Sequence, residues 1–204
     1  MLKVQSLACQ RGGRDVFRKV SFDLKAGDVL FVTGTNGSGK SSLLRMLAGF
    51  LSIHSGAILW QDKDMSDDRV SYQRNIHYIG HLDAIKQELT VHEMLDYWRT
   101  LQGLTSVPAY HRHDPFGIMS LYDKPVRYLS AGQKRRLTLS RLLCSDSLLW
   151  LLDEPTTALD HHGQKILSDC INEHRAKGGM AILATHYDLD LEGALRFDMN
   201  GQRP

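Results

Sequence analysis

A chain of 204 residues with 42% hydrophobic and 24% charged residues has the length and balance of one soluble globular domain of ordinary size. Its formal net charge of +2 is small and no run of Lys or Arg stands out, so charge alone gives no footprint for nucleic acid. Three widely separated cysteines, Cys9, Cys144 and Cys170, make neither a disulfide framework nor a metal-ligand spacing, and no apolar run approaches the roughly 18 residues of a membrane span.

At the N-terminus, Leu7-Ala8-Cys9 superficially matches a lipoprotein cleavage site, but Lys3, Gln5 and Ser6 interrupt the apolar stretch that a signal peptide needs. Val20, Phe22 and Leu24 alternate with polar neighbours and predict a half-buried antiparallel strand. Val29-Leu30-Phe31-Val32 is a continuous apolar run, as expected of a strand covered on both faces. It leads straight into a glycine-rich segment, Gly34 to Gly39, and then into a predicted helix from Ser41 to Ala48 ended by Gly49. Ile58–Trp60 and Ile76–Ile79 read as further strands, and Val91, Met94, Leu95 and Trp98 have the spacing of a helix running from Thr90 to about Leu101. Gly103–Pro115 reads as a loop, and Leu139, Leu142 and Leu143 mark another helix. Two buried strands follow, Leu148–Leu152 and Met180–Ala184, with a helix over 163–176 between them. The order predicts a parallel-sheet α/β core with a small helical insertion around residues 88–145.

Three motifs carry chemistry. Gly34-Thr35-Asn36-Gly37-Ser38-Gly39-Lys40-Ser41 fits G-x-x-x-x-G-K-[ST], a phosphate-binding loop, and Ser42 continues it into the helix. The glycines let successive backbone N–H groups turn toward phosphate oxygens, and the helix behind adds the positive end of its dipole. Lys40 is then placed for the β- and γ-phosphates of a nucleoside triphosphate, and Ser41 for Mg²⁺. Leu148–Leu152 runs into Asp153-Glu154-Pro155, a strand tip with two carboxylates: Asp153 can bind Mg²⁺ through water, and Glu154 can polarise an attacking water. Leu129-Ser130-Ala131-Gly132-Gln133 opens a helix with Ser130 in cap position and precedes Lys134-Arg135-Arg136 and the acidic strand.

That last motif, at this distance from the other two, resembles the signature sequence of ABC (ATP-binding cassette) ATPases, normally Leu-Ser-Gly-Gly-Gln, with Ala131 replacing one glycine. The resemblance runs over essentially residues 2–203: Ala158-Leu159-Asp160 looks like the family's D-loop and His186 like its switch histidine. It implies a P-loop ATPase of ABC type, with a mostly parallel core sheet, an antiparallel β subdomain and a small helical subdomain, residues 1–204 forming one nucleotide-binding domain. It also implies ATP and Mg²⁺ as ligands and two cassettes that sandwich two ATPs. Gly34 to Ser42 would then bind ATP, Glu154 and His186 would act in catalysis, and Ser41 and Asp153 would hold Mg²⁺. Ser130, Ala131, Gly132, Gln133 and Asp160 would act in trans, on the partner's nucleotide. The glutamine that these cassettes carry after the strand Ile76–Ile79 falls at Leu82, between His81 and Asp83, and the adenine-stacking aromatic falls near Arg11. Within the family, the chain resembles the ATP-binding subunits of haem exporters used in cytochrome c maturation. Leu59-Trp60-Gln61, Ile79-Gly80-His81, the Leu129–Arg136 stretch and Leu149–Pro155 carry that likeness. It implies a peripheral protein at the cytoplasmic face of the bacterial inner membrane, bound to integral membrane subunits and to no nucleic acid; the alternative is a cassette serving another substrate. Ten histidines include the pairs His111/His113 and His161/His162, which read as solvated surface rather than metal ligands.

Overall fold

Four of the apolar runs become neighbouring strands because each has apolar side chains to bury on both faces. In the computed structural model, which describes residues 1–101, 103, 114–144, 146–187 and 189–202, these are β3 (Val29–Thr33), β6 (Ile76–Ile79), β7 (Leu149–Asp153) and β8 (Met180–Ala184). With β9 (Leu195–Asp198) they form a five-stranded sheet in the order β6-β7-β8-β3-β9, and every pairing is parallel. A second, antiparallel sheet orders β2 (Arg14–Leu24), β1 (Leu2–Arg11), β4 (Ser55–Trp60) and β5 (Lys63–Asp64).

The period of two along a strand divides the core into two clusters. Leu30, Val32, Leu149, Leu151, Met180 and Ile182 face one side, where they meet the antiparallel sheet and the apolar face of α1 (Lys40–Leu47). Val29, Phe31, Trp150, Leu152, Ala181 and Leu183 face the other. There they pack with α3 (Val91–Leu101), α4 (Ala131–Leu139) and α5 (His161–Ala176). The short α2 (Arg69–Arg74) lies against the first side through Tyr72.

Helix starts follow capping chemistry. Thr90 and Glu93 form a reciprocal capping box at the head of α3: the Thr90 N–H donates to Glu93 Oε2 at 2.8 Å, and the Glu93 N–H to Thr90 Oγ1 at 3.2 Å. Asp160 caps α5 by accepting from the Gly163 N–H at 2.7 Å. The helix expected around Leu139–Leu143 begins earlier, at Ala131, and changes to a 3₁₀ turn over Ser140–Cys144. The pair His111/His113 and nearly all of the expected loop Gly103–Pro115 lie outside the described residues. His161 and His162 are exposed in the first turn of α5.

A buried histidine sits in the parallel sheet itself. His77 in β6 is 4% exposed, and its Nε2 has no hydrogen-bond partner among the described residues. Burial, helped by the charge of Arg141, pushes its pKa from 6.5 down to about 3, so the folded protein holds this ring neutral. The unfolded chain protonates it near the ordinary value. This contribution to stability is therefore complete above pH 6.5 and is lost progressively as the pH falls toward about 3. Urea unfolding at stepped pH should show the midpoint falling through that window, with a shallower slope in His77→Leu than in the wild type.

Candidate functional site

In a parallel sheet, ligands gather at the carboxyl ends of the strands, where the chain leaves the ladder and its side chains are free to converge. Here β3 delivers Gly34–Ser41 to that edge, β7 delivers Asp153 and Glu154, β8 delivers Thr185 and His186, and β6 delivers Gly80–Asp83. The glycine loop curls tightly enough that two of its glycines have no room for a side chain. Gly34 has φ 141°, and a Cβ there would lie 2.7 Å from Ser38 Oγ. Gly39 has φ 101°, and its Cβ would lie 2.8 Å from Phe17 Cδ1 and 2.9 Å from Val16 Cγ1. The loop is tied to the end of the chain as well, since the Thr35 N–H donates to Asn200 Oδ1 at 3.0 Å.

Five of the expected side chains converge. The Lys40 ammonium, which has only donors, bonds the Gly34 carbonyl at 2.8 Å, the Thr35 carbonyl at 3.3 Å and His186 Nε2 at 3.1 Å. His186 Nε2 also lies 3.5 Å from Glu154 Oε1. The Ser41 hydroxyl donates to Asp153 Oδ1 at 2.9 Å. Asp153 is 1% exposed, and its other oxygen, Oδ2, is buried with no hydrogen-bond partner among the described residues. A cleft of about 390 Å³ opens over Lys40, Ser41, Glu154 and His186. Asn36, Gly37, Gly39 and Ser42 line it, and so does Arg11, the residue at the expected base-stacking position.

A second group lies apart. Ser130, Ala131, Gly132, Gln133 and Asp160 are not among the residues that line this cleft. Ser130 and Gln133 form a capping box at the head of α4, with the Ser130 N–H donating to Gln133 Oε1 at 2.9 Å and the Gln133 N–H to Ser130 Oγ at 3.2 Å. Ser130 and Ala131 are exposed, so the positive end of this helix faces outward. Gly132 sits under the loop that leads to Asp160: a Cβ on it would come within 2.9 Å of the Ala158 carbonyl oxygen. In the loop after β6, Leu82 is 82% exposed and His81 is exposed, while the Asp83 carboxylate pairs with Arg135 at 3.1 Å.

Arg135 is the residue that sequence reasoning passed over. It is 2% exposed, and it makes five hydrogen bonds. Its place in a Lys-Arg-Arg run gave it the signature of a solvated side chain, and nothing in local spacing distinguishes it from Lys134 or Arg136.

A glycine loop between a buried strand and a helix, a buried Ser–Asp pair and a carboxylate–histidine–lysine cluster at one sheet edge describe a site for a nucleoside triphosphate. An exposed signature helix outside the cleft narrows this to one family, and residues 17–157 match the ABC transporter family. The chain belongs to that family, as its ATP-hydrolysing component. It is 47% identical over 194 residues to the cytochrome c biogenesis ATP-binding export protein CcmA of Paramagnetospirillum magneticum, covering 93% of this chain and 89% of that one. It is 40% identical to the protein of the same description from Rhizobium johnstonii, over 98% and 94% of the two chains. Among solved structures, the ATP-binding subunit of an ABC transporter superposes with a TM-score of 0.78 at 25% identity, over 91% of this chain and 80% of that one.

The loop geometry makes its own prediction. Gly39→Ala must displace Phe17 or Val16 and place an L side chain at a left-handed φ, so the loop reshapes while the core, elsewhere untouched, stays folded. Calorimetric titration should then show ATP affinity lowered by at least about tenfold, with a thermal midpoint close to that of the wild type.

Proposed function

We propose that this chain is the ATPase of a haem-exporting membrane complex of cytochrome c maturation. In this reading it is seated peripherally at the cytoplasmic face of the bacterial inner membrane on integral membrane subunits, and it works as an ATP-bridged pair of identical cassettes. The likeness to proteins described as cytochrome c biogenesis ATP-binding export proteins, over nine-tenths of the chain or more, supports the biological setting. The chemistry rests on one observation, the convergence of Lys40, Ser41, Asp153, Glu154 and His186 at the carboxyl edge of the parallel sheet.

In this reading ATP lies in the cleft with its phosphates along the N–H groups of residues 34–41. Lys40 gives up its loop carbonyls and His186 for the β- and γ-phosphate oxygens, which are stronger acceptors because they are charged. The residues present fit Mg²⁺: a buried carboxylate oxygen with no partner, on Asp153, stands beside a hydroxyl that already bonds its other oxygen. Held by Ser41 and Asp153, Mg²⁺ would supply charge neutralisation to the phosphates. Glu154 orients the attacking water and takes its proton as the oxygen–phosphorus bond forms and the bond to ADP breaks. His186, freed from Lys40, donates to a γ-phosphate oxygen. Neither Ser130 nor Gly132 lines the chain's own cleft, so the helix dipole at Ser130 serves the γ-phosphate of a second cassette, along with Ala131, Gln133 and Asp160.

Glu154→Gln should keep ATP binding and lose turnover by roughly 10²–10⁴-fold, the share of a general base. Bacteria dependent on the variant should lose haem-stained c-type cytochromes. Steady-state ATPase at the wild-type rate would remove Glu154 from this role; normal ATPase loss with normal cytochromes would keep the enzyme and discard the setting.

The shared site has a separate test. Lys40→Ala and Ser130→Arg chains, each inactive alone, form mixed pairs with one intact site and one doubly damaged site. Mixing them should restore part of the ATPase, and Glu154→Gln should sediment as a dimer with ATP but not with ADP. A wild-type rate from a strictly monomeric species would overturn the pairing.

A further inference from the structure

Arg135 joins three parts of the molecule that the sequence keeps far apart. Its guanidinium hangs from α4, five residues past Ser130. Nη2 donates to the Asp153 carbonyl at 3.2 Å and to the Glu154 carbonyl at 2.7 Å, and Nε donates to the Pro155 carbonyl at 3.2 Å. Nη1 donates to the Gly80 carbonyl at 3.2 Å and to Asp83 Oδ1 at 3.1 Å. Every N–H of the fork is therefore used, on three successive carbonyls from the last residue of β7 onward and on two acceptors after β6. Thr138, one turn further along α4, reinforces the second contact by donating to the Asp83 carbonyl at 3.1 Å.

Glu154 is where this arrangement matters. Its φ of 47° is left-handed, a conformation that a residue with a Cβ adopts only when its surroundings hold it there. Its N–H is fixed by the Ala184 carbonyl at 2.7 Å and its own carbonyl by Arg135. The carboxylate is thus aimed from two sides, by the sheet and by α4. Five residues of helix span about 7.5 Å along the axis, so Arg135 and Ser130 move as one body.

We infer that Arg135 is a positioning residue that couples the outward-facing end of α4 to the catalytic carboxylate of the same chain. This rests on the reading of two cassettes with shared sites. In that reading Ser130 answers to the partner's ATP and Glu154 to the chain's own, so Arg135 makes occupation of one site set the aim of the base in the other. Lysine cannot reproduce the fork, because its three donors sit on one atom and cannot span five acceptors on two loops.

The test is Arg135→Lys in the full chain, with Asp83→Asn as a second variant that keeps the guanidinium and weakens its hold on the β6 loop. Arg135→Lys should lower kcat by about tenfold or more, the cost of a misplaced catalytic group, with the ATP KM held within about twofold. Its ATP dependence should lose cooperativity, with the Hill coefficient falling toward unity, while Arg135→Lys/Glu154→Gln still dimerises with ATP. Asp83→Asn should show the same loss in milder form. Wild-type kcat and cooperativity in a folded Arg135→Lys chain would overturn the inference, and so would kcat and KM that worsen together in step with a lowered thermal midpoint. If Arg135→Lys does not fold, unchanged cooperativity in Asp83→Asn overturns the inference and reduced cooperativity supports it. The wild-type control separates the two readings. A specific rate independent of chain concentration would remove the shared sites and the coupling with them, while the split between kcat and KM would still judge the hold of Arg135 on Glu154.

Discussion

In the parallel register, Ala184 of β8 faces Val32 of β3 on one side and Asp153 of β7 on the other. That single alignment fixes the distance between the glycine loop, which leaves β3 a residue later, and the carboxylates that end β7. The hydrogen bond from Ser41 to Asp153 spans 112 positions of sequence, yet it needs only two steps of the parallel ladder, across β8, to form. The position of His186 has the same origin, because β8 lies between the other two. The ladder depends in turn on the two hydrophobic clusters, since a parallel sheet with a bare face would have no reason to stay out of water.

On this frame the molecule carries charge where burial is costly. Lys40, Arg135 and Asp153 are all buried. Each meets strong acceptors or donors: carbonyls for the two cations, the Ser41 hydroxyl for the carboxylate. Buried ionic groups seldom add net stability over apolar residues of the same volume. Their value here is in geometry. Glu154 and Ala158, both with left-handed backbone, fall in the same stretch between β7 and α5. The apolar strands hold a strained and polar segment that carries Glu154, the proposed base.

How much of this could be read from the chain depended on how directly burial shows in residue type. Val29–Val32, Ile76–Ile79, Leu148–Leu152 and Met180–Ala184 were legible because strands covered on both faces leave unbroken apolar runs. β1 left no such trace. Its alternation of Leu2 and Val4 is broken by bulges around Gln5 and Ser6, where Ser6 turns left-handed and the face of the strand changes before Leu7. β9 is an edge strand with only half-buried and exposed side chains, so Leu195–Asp198 carries no apolar signature. The head of α4 was legible through its cap but its extent was not, because Arg135 turns a charged side chain into the protein and spoils the amphipathic period. At the site, the residues that converge belong to motifs with local spacing, whereas the Arg135 clamp comes from tertiary packing alone. The separation of Ser130 from the cleft could be anticipated only from the resemblance; no property of Leu-Ser-Ala-Gly-Gln by itself says that it faces away.

The bonds that Lys40 makes with Gly34, Thr35 and His186 bear on the catalytic cycle proposed for this site. In the proposed reading, binding a triphosphate does not rescue an unsatisfied cation; it exchanges three adequate acceptors for better ones. The gain is a difference between two solvated-in-protein states, and it is correspondingly smaller than the gross attraction between ammonium and phosphate. Once the γ-phosphate has departed, the same three acceptors compete for the lysine and favour the return to where it began. A turnover enzyme has to relinquish its spent nucleotide as surely as it captures a fresh one, and a loop that can satisfy its own lysine already holds the means of letting go.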